Sequence, residues 1–92
     1  MALRWTPTAL RDLESLYDYI SEDNATAAGA MLESILAGIA ALQRHPEMGR
    51  TGRVGGTREL VVAPCVIAYR MRRTAIEVLA IVHGARRWPE RF

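Results

Sequence analysis

At 92 residues, with half of them apolar, the chain has the length for one domain and one core, but not for a core plus a deep substrate cavity. Its single cysteine, Cys65, excludes an internal disulfide and a thiol-held structural metal, and no cofactor motif is present; this fits a reducing compartment. The net charge of +2 is unevenly placed: residues 1–48 hold three basic and seven acidic side chains, whereas residues 49–92 hold nine arginines and three glutamates.

Every basic side chain is an arginine. Guanidinium forks suit carboxylate and phosphate partners, although an arginine-favouring genome accounts for the same composition. Near the N-terminus, Arg4, Arg11, Asp12 and Glu14 interrupt any apolar run, so neither a signal peptide nor a spanning helix is expected there. The expected location is the cytoplasm, with no membrane partner.

Leu3 to Trp5 reads as a short strand. Thr6-Pro7 then opens a helix, with Thr6 as N-cap and Pro7 at the first helical position. Leu10, Leu13, Tyr17 and Ile20 recur at helical spacing, with Leu16 at the edge of that stripe and Arg11, Asp12, Glu14 and Asp18 off it. Asn24 can cap a second helix, whose apolar positions are Ala28, Met31, Leu32, Ile35, Leu36, Ile39 and Leu42. His45-Pro46 ends it, because the residue before proline avoids the helical region, and an imidazole suits the negative end of the helix dipole. The short link makes the helices an antiparallel hairpin.

The glycine-rich stretch from Pro46 to Gly56 has no phosphate-loop lysine and reads as a flexible connection. Three strands follow: Arg58 to Ala63, Val66 to Arg72 after Pro64-Cys65, and the nearly all-apolar Ala75 to Val82. The order β-α-α-β-β-β implies an α+β fold, a helical hairpin packed on a small antiparallel sheet, as a single domain over 1–92. So small a domain cannot hide both helical stripes completely, and the apolar surface left over is a natural seat for an amphipathic partner.

Three segments carry a resemblance. They are Thr6-Pro7-Thr8-Ala9 with Leu10, Leu13 and Tyr17; His45-Pro46-Glu47-Met48-Gly49-Arg50 with Gly56-Thr57-Arg58-Glu59-Leu60; and Pro64-Cys65-Val66-Ile67-Ala68-Tyr69-Arg70 with His83-Gly84-Ala85-Arg86-Arg87-Trp88-Pro89. In order and spacing these resemble the RelE/ParE toxin superfamily over about residues 3–89. The resemblance implies a type II toxin–antitoxin module that arrests growth and serves plasmid stabilisation. It also implies a cognate antitoxin, usually of ribbon-helix-helix type, that wraps the toxin in a hetero-oligomer.

Two branches of that superfamily differ in chemistry. RelE-like members cut messenger RNA on the ribosome with lysines, arginines and a terminal tyrosine, groups that activate a hydroxyl and steady a phosphate. ParE-like members inhibit DNA gyrase by protein contact. Here the resemblance puts Val66 where the RelE-like arginine opens a strand, and Phe92 where the terminal tyrosine would be; Arg86 falls near a second arginine. These departures favour the gyrase-directed branch. An endoribonuclease would have to rely on Arg58, Arg70 and Arg86.

Several residues admit two roles. Arg86, Arg87 and Trp88 combine charge with an aromatic and suit target contact, while Trp88 equally suits a lid on the sheet. Leu13, Leu16, Tyr17, Arg58 and Arg70 are the expected antitoxin contacts. Arg58 and Arg70 could instead face nucleic acid, or pair with Glu59 or Glu77. His83 suits general acid–base work, or simply the end of the last strand. Cys65 with His83 has the composition of a nucleophile pair, but a small buried thiol beside an apolar strand is commonplace.

Overall fold

In the computed structural model, which describes residues 1–84, two helices lie on one face of a five-stranded sheet. The elements are β1 (Ala2–Trp5), α1 (Pro7–Asp23), α2 (Ala25–Arg44), β2 (Arg50–Thr51), β3 (Arg58–Val62), β4 (Cys65–Met71) and β5 (Ala75–His83). The expected order is present, with the two-residue β2 added inside the glycine-rich stretch. Sheet order is β1-β5-β4-β3-β2. The β2–β3, β3–β4 and β4–β5 pairs are antiparallel, but β1 joins β5 in parallel, so the sheet is mixed and not wholly antiparallel. The physical reason is that the helical hairpin carries the chain across the sheet between β1 and the later strands, and this crossover lets β1 run beside β5 in the same direction.

Thr6 caps α1 as expected, its hydroxyl oxygen accepting the Ala9 N–H at 3.1 Å. Asn24 is the whole link between the helices. Its N–H donates to the Ile20 carbonyl at the end of α1, and its Oδ1 accepts the Ala27 N–H at the start of α2. One extended residue therefore reverses the chain and satisfies groups of both helix ends.

The core lies between helices and sheet. Ala9 and Leu16 of α1, Ile35 and Ile39 of α2, and Cys65, Ile67, Val78 and Ile81 of the sheet form its main cluster. Leu42, Tyr69 and Ile76 form a second cluster. Full burial of each such aliphatic side chain contributes about 1.5–3 kcal/mol. By length and composition α2 could cross a membrane, with mean hydropathy 1.6. Its Ile35, Ile39 and Leu42 nonetheless pack in these clusters, as expected of a core helix.

Two of the expected stripe residues lie elsewhere. Leu10 is 45% exposed and Leu36 46%, whereas Leu16 is only 5% exposed. The face of α1 that meets the sheet is Ala9, Leu13, Leu16 and Ile20, again at spacings of three and four. The rotation of α1 is set by polar anchors on β5. The Thr6 N–H donates to the Val78 carbonyl, its hydroxyl donates to the Leu79 carbonyl at 3.2 Å, and the Asp12 Oδ2 accepts the Ile81 N–H at 3.1 Å. These side chains take up the β5 edge where β1 has ended, so a row of backbone groups is satisfied without another strand.

Candidate interaction site

The glycine-rich connection is bound down and not a flexible link. Tyr69 is fully buried on β4, and its hydroxyl accepts the Gly49 N–H at 2.9 Å while donating to the Pro46 carbonyl at 2.8 Å. The Arg58 guanidinium donates to the carbonyls of Gly49 (2.8 Å) and Glu47 (3.3 Å). Glu59 points to the opposite face of β3, with its side chain 1% exposed. Its Oε1 accepts from Arg50 Nε and Nη2, and its Oε2 accepts the Arg53 N–H at 2.8 Å. Thr57 and Gly56 close the loop: the Thr57 hydroxyl donates to the Val54 carbonyl, and Gly56 takes φ +78, where a side chain would be strained.

Burial pushes the Tyr69 hydroxyl above its ordinary value of 10.0, with the Gly49 N–H and the Arg58 charge pulling partly back. Burial likewise pushes the Cys65 thiol above 9.0. In the unfolded chain each loses its proton at the ordinary value, whereas the folded chain retains it. Stability from these groups is therefore complete below about pH 9 and lost as pH rises through the raised values. Urea unfolding from about pH 8 to about pH 11 should show a falling midpoint, and in Cys65→Ala the fall should begin later, near the tyrosine's ordinary value. An unchanged midpoint across that range would contradict this assignment.

The expected antitoxin contacts separate into four places. Leu13 and Tyr17, with Glu14, Asp18 and Leu32, line a groove of about 360 Å³ between α1 and α2. Its lining is thus part apolar and part acidic. Leu16 belongs to the core and is not on this surface. Arg58 is occupied with the loop carbonyls, not with Glu59 or Glu77. Arg70 lies on the sheet face away from the helices, with Nη1 3.9 Å from Glu77 Oε1. Thus Arg58 and Arg70 do not converge on one centre: their neighbours in register, Tyr69 and Glu77, place them on opposite faces. Arg86, Arg87 and Trp88 lie outside the described residues.

Cys65 and His83 are partners in register across β4 and β5. Cys65 is nevertheless fully buried in the main cluster, and its thiol is held protonated by burial, the reverse of nucleophile activation. His45 caps the end of α2, its N–H donating to the Ala41 carbonyl. Among the described residues no group of three His, Cys, Asp or Glu side chains could hold a metal. Val66 is 7% exposed at the start of β4. Sequence periodicity had no signal for Glu59 as a buried anchor, because its Arg50 and Arg53 partners meet it only once β2 pairs with β3.

The same architecture recurs in known proteins. The chain matches the family model described as "ParE toxin of type II toxin-antitoxin system, parDE" over residues 3–88. It is 40% identical over 90 residues to the Sinorhizobium fredii protein Y4kP, named as a toxin, covering 96% of this chain and 93% of that one. It is 33% identical over 82 residues to Toxin RelE2 of Caulobacter vibrioides, covering 89% and 93%. Among solved structures it is similar to a chain of the chromosomal ParDE toxin–antitoxin system from P. aeruginosa, with TM-score 0.78, 28% identity, and coverage of 90% and 95%. A match that runs from β1 through the β5 terminus takes in all the struts described above, so the chain belongs to the ParE toxin family and is a type II toxin of a ParDE-like toxin–antitoxin system.

Proposed function

We propose that this toxin inhibits DNA gyrase by protein contact in the cytoplasm, and that a cognate antitoxin silences it. The observation that carries the reading is the family match over residues 3–88, which is to ParE and spans the whole fold. Val66 adds support: an aliphatic side chain, nearly buried, occupies the strand start where the RelE-like resemblance would place an arginine. In this reading Arg86, Arg87 and Trp88 form the target contact.

The test uses purified gyrase. Supercoiling should be inhibited, and cleaved DNA should accumulate. Arg86→Ala and Trp88→Ala should each weaken inhibition by roughly tenfold or more, as expected of interface anchors worth over 1 kcal/mol, with unchanged circular dichroism. Full supercoiling at excess toxin would refute the target.

One observation favours a second reading, the 33% identity to Toxin RelE2. On that reading the chain is a ribosome-dependent endoribonuclease. Primer extension on messages from induced cells would reveal codon-linked cuts, and intact messages together with gyrase inhibition would remove it.

For the antitoxin, the α1–α2 groove is the docking site. Leu13, Tyr17 and Leu32 offer apolar contact, and Glu14 and Asp18 select an amphipathic segment with basic side chains flanking its apolar anchors. An acidic part of the same antitoxin would meet arginines of the sheet layer instead. Tyr17→Ala should lower antitoxin affinity about tenfold, or ~1.4 kcal/mol, by calorimetry, with toxicity retained. Equal affinities would move the docking site elsewhere.

A further inference from the structure

The two layers of this fold carry opposite charge. Helices α1 and α2 hold six acidic and two basic side chains, net −4. The sheet and its turns, counting Arg4 and residues 49–84, hold seven arginines and two glutamates, net +5. Much of that excess gathers at one place on the face turned away from the helices. In register across three strands stand Arg4 of β1, Glu77 of β5 and Arg70 of β4. Leu3 and Trp5, which flank Arg4, pack against the core on the helix side, so Arg4 faces the other way.

Among the described residues a single carboxylate serves this cluster, and serves it loosely. Glu77 Oε1 is 3.4 Å from Arg72 Nη2 and 3.9 Å from Arg70 Nη1. Arg72 is half-exposed, and Arg4 and Arg73 are exposed with no ion pair among the described residues. Each guanidinium has five donors, so among the described residues most of the donors here meet no carboxylate. Elsewhere in the fold arginines make closer contacts: Arg50 reaches Glu59 at 3.0 Å, and Arg58 the Gly49 carbonyl at 2.8 Å. The cluster around Glu77 is therefore poorly explained as a structural device.

We propose that this face binds the phosphate backbone of duplex DNA, with Arg4, Arg70 and Arg72 as the contacting groups. The choice of DNA rests on the gyrase reading, since the gyrase complex contains a duplex. Three features of the site favour it over other anions. Strands stand about 4.8 Å apart, so Arg4 and Arg70 bracket roughly 10 Å, and a duplex presents about one charge per 1.7 Å of axis; several phosphates face the cluster at once. Among the described residues this face has no aromatic side chain for stacking unpaired bases, which single-strand recognition uses. The acidic helix layer repels the same polyanion and orients the toxin sheet-first, an effect that a long polymer feels more than a short acidic peptide.

The test is fluorescence anisotropy of a labelled duplex with the full-length toxin, from about 50 to about 200 mM salt. Binding should weaken with a log–log slope of about −3, as for three phosphate contacts. Arg4→Ala and Arg72→Ala should each lower affinity about fivefold and reduce the slope by about one, while Arg44→Ala on α2 should change neither. Circular dichroism checks that each variant is folded. Absence of duplex binding at low salt, equal binding by the variants, or preference for single-stranded RNA of the same length would overturn the proposal. The gyrase assay run in parallel separates the two ideas. Gyrase inhibition without duplex binding overturns this face and leaves the target intact; salt-dependent duplex binding without gyrase inhibition supports the face and refutes the target.

Discussion

Gly49→Ala should lower the unfolding free energy by about 3–5 kcal/mol and the melting temperature by roughly 15–25 °C. A Cβ at this position would stand 2.5 Å from the Tyr69 hydroxyl and 2.9 Å from the Glu59 carbonyl oxygen. Neither can give way. Tyr69 is fully buried among Leu42 and Ile76, and the Glu59 carbonyl belongs to a strand paired on both sides. The methyl must displace the loop. That breaks the Gly49-to-Tyr69 and Tyr69-to-Pro46 hydrogen bonds, about 1 kcal/mol each, and overpacking adds about 1–3 kcal/mol. Thermal unfolding followed by circular dichroism measures the sum. A variant melting within a few degrees of the parent would mean that the loop relaxes freely, and the strut built on Tyr69 would not be rigid.

Glu59→Ala should cost about 2–3 kcal/mol, and it should act on the other face of the same strand. The carboxylate is nearly inaccessible yet holds Arg50 through two N–H groups and takes the Arg53 backbone N–H. Both arginines are half-exposed, with side chains 55% accessible, so their charges regain water when the carboxylate is gone. What is not regained is a partner for the Arg53 N–H, along with the charge-assisted bonds that fix β2 against β3. Glu59→Gln keeps an acceptor for that N–H and should lose only about half as much. Urea unfolding gives the magnitudes, and limited trypsin digestion gives the place: cleavage after Arg53 should accelerate in Glu59→Ala before global unfolding. Unchanged cleavage would show that Thr57, Tyr69 and Arg58 hold the loop without Glu59.

Both variants concern a stretch that composition describes as a loose connection. Glycine spacing and the lack of a lysine argue against a phosphate cradle. They contain nothing about the Tyr69 hydroxyl or the Glu59 carboxylate, which reach the loop only after β3 and β4 have paired. Arg58 shows the same limit. Its residue type fits a binding surface, but its register with Tyr69 turns it toward the loop carbonyls. For Leu13 and Tyr17 the outcome differs: helical spacing places them on one side of α1, and the groove they line needed only Leu32 of α2 to complete it.

Amino-acid order by itself determined every element but the two-residue β2, with boundaries to within a residue or two. Thr6-Pro7, Asn24 and His45-Pro46 act on the backbone within a turn of themselves, and apolar period distinguishes helix from strand locally. The tertiary structure alone decided the parallel pairing of β1 with β5, the rotation of α1 that buries Leu16 and exposes Leu10, and the meeting of Arg4, Arg70 and Arg72 around Glu77. Each of these depends on contacts between residues far apart in the chain, such as Asp12 with the Ile81 N–H. Long-range register has no local signature, because it is selected by the summed packing of the whole core.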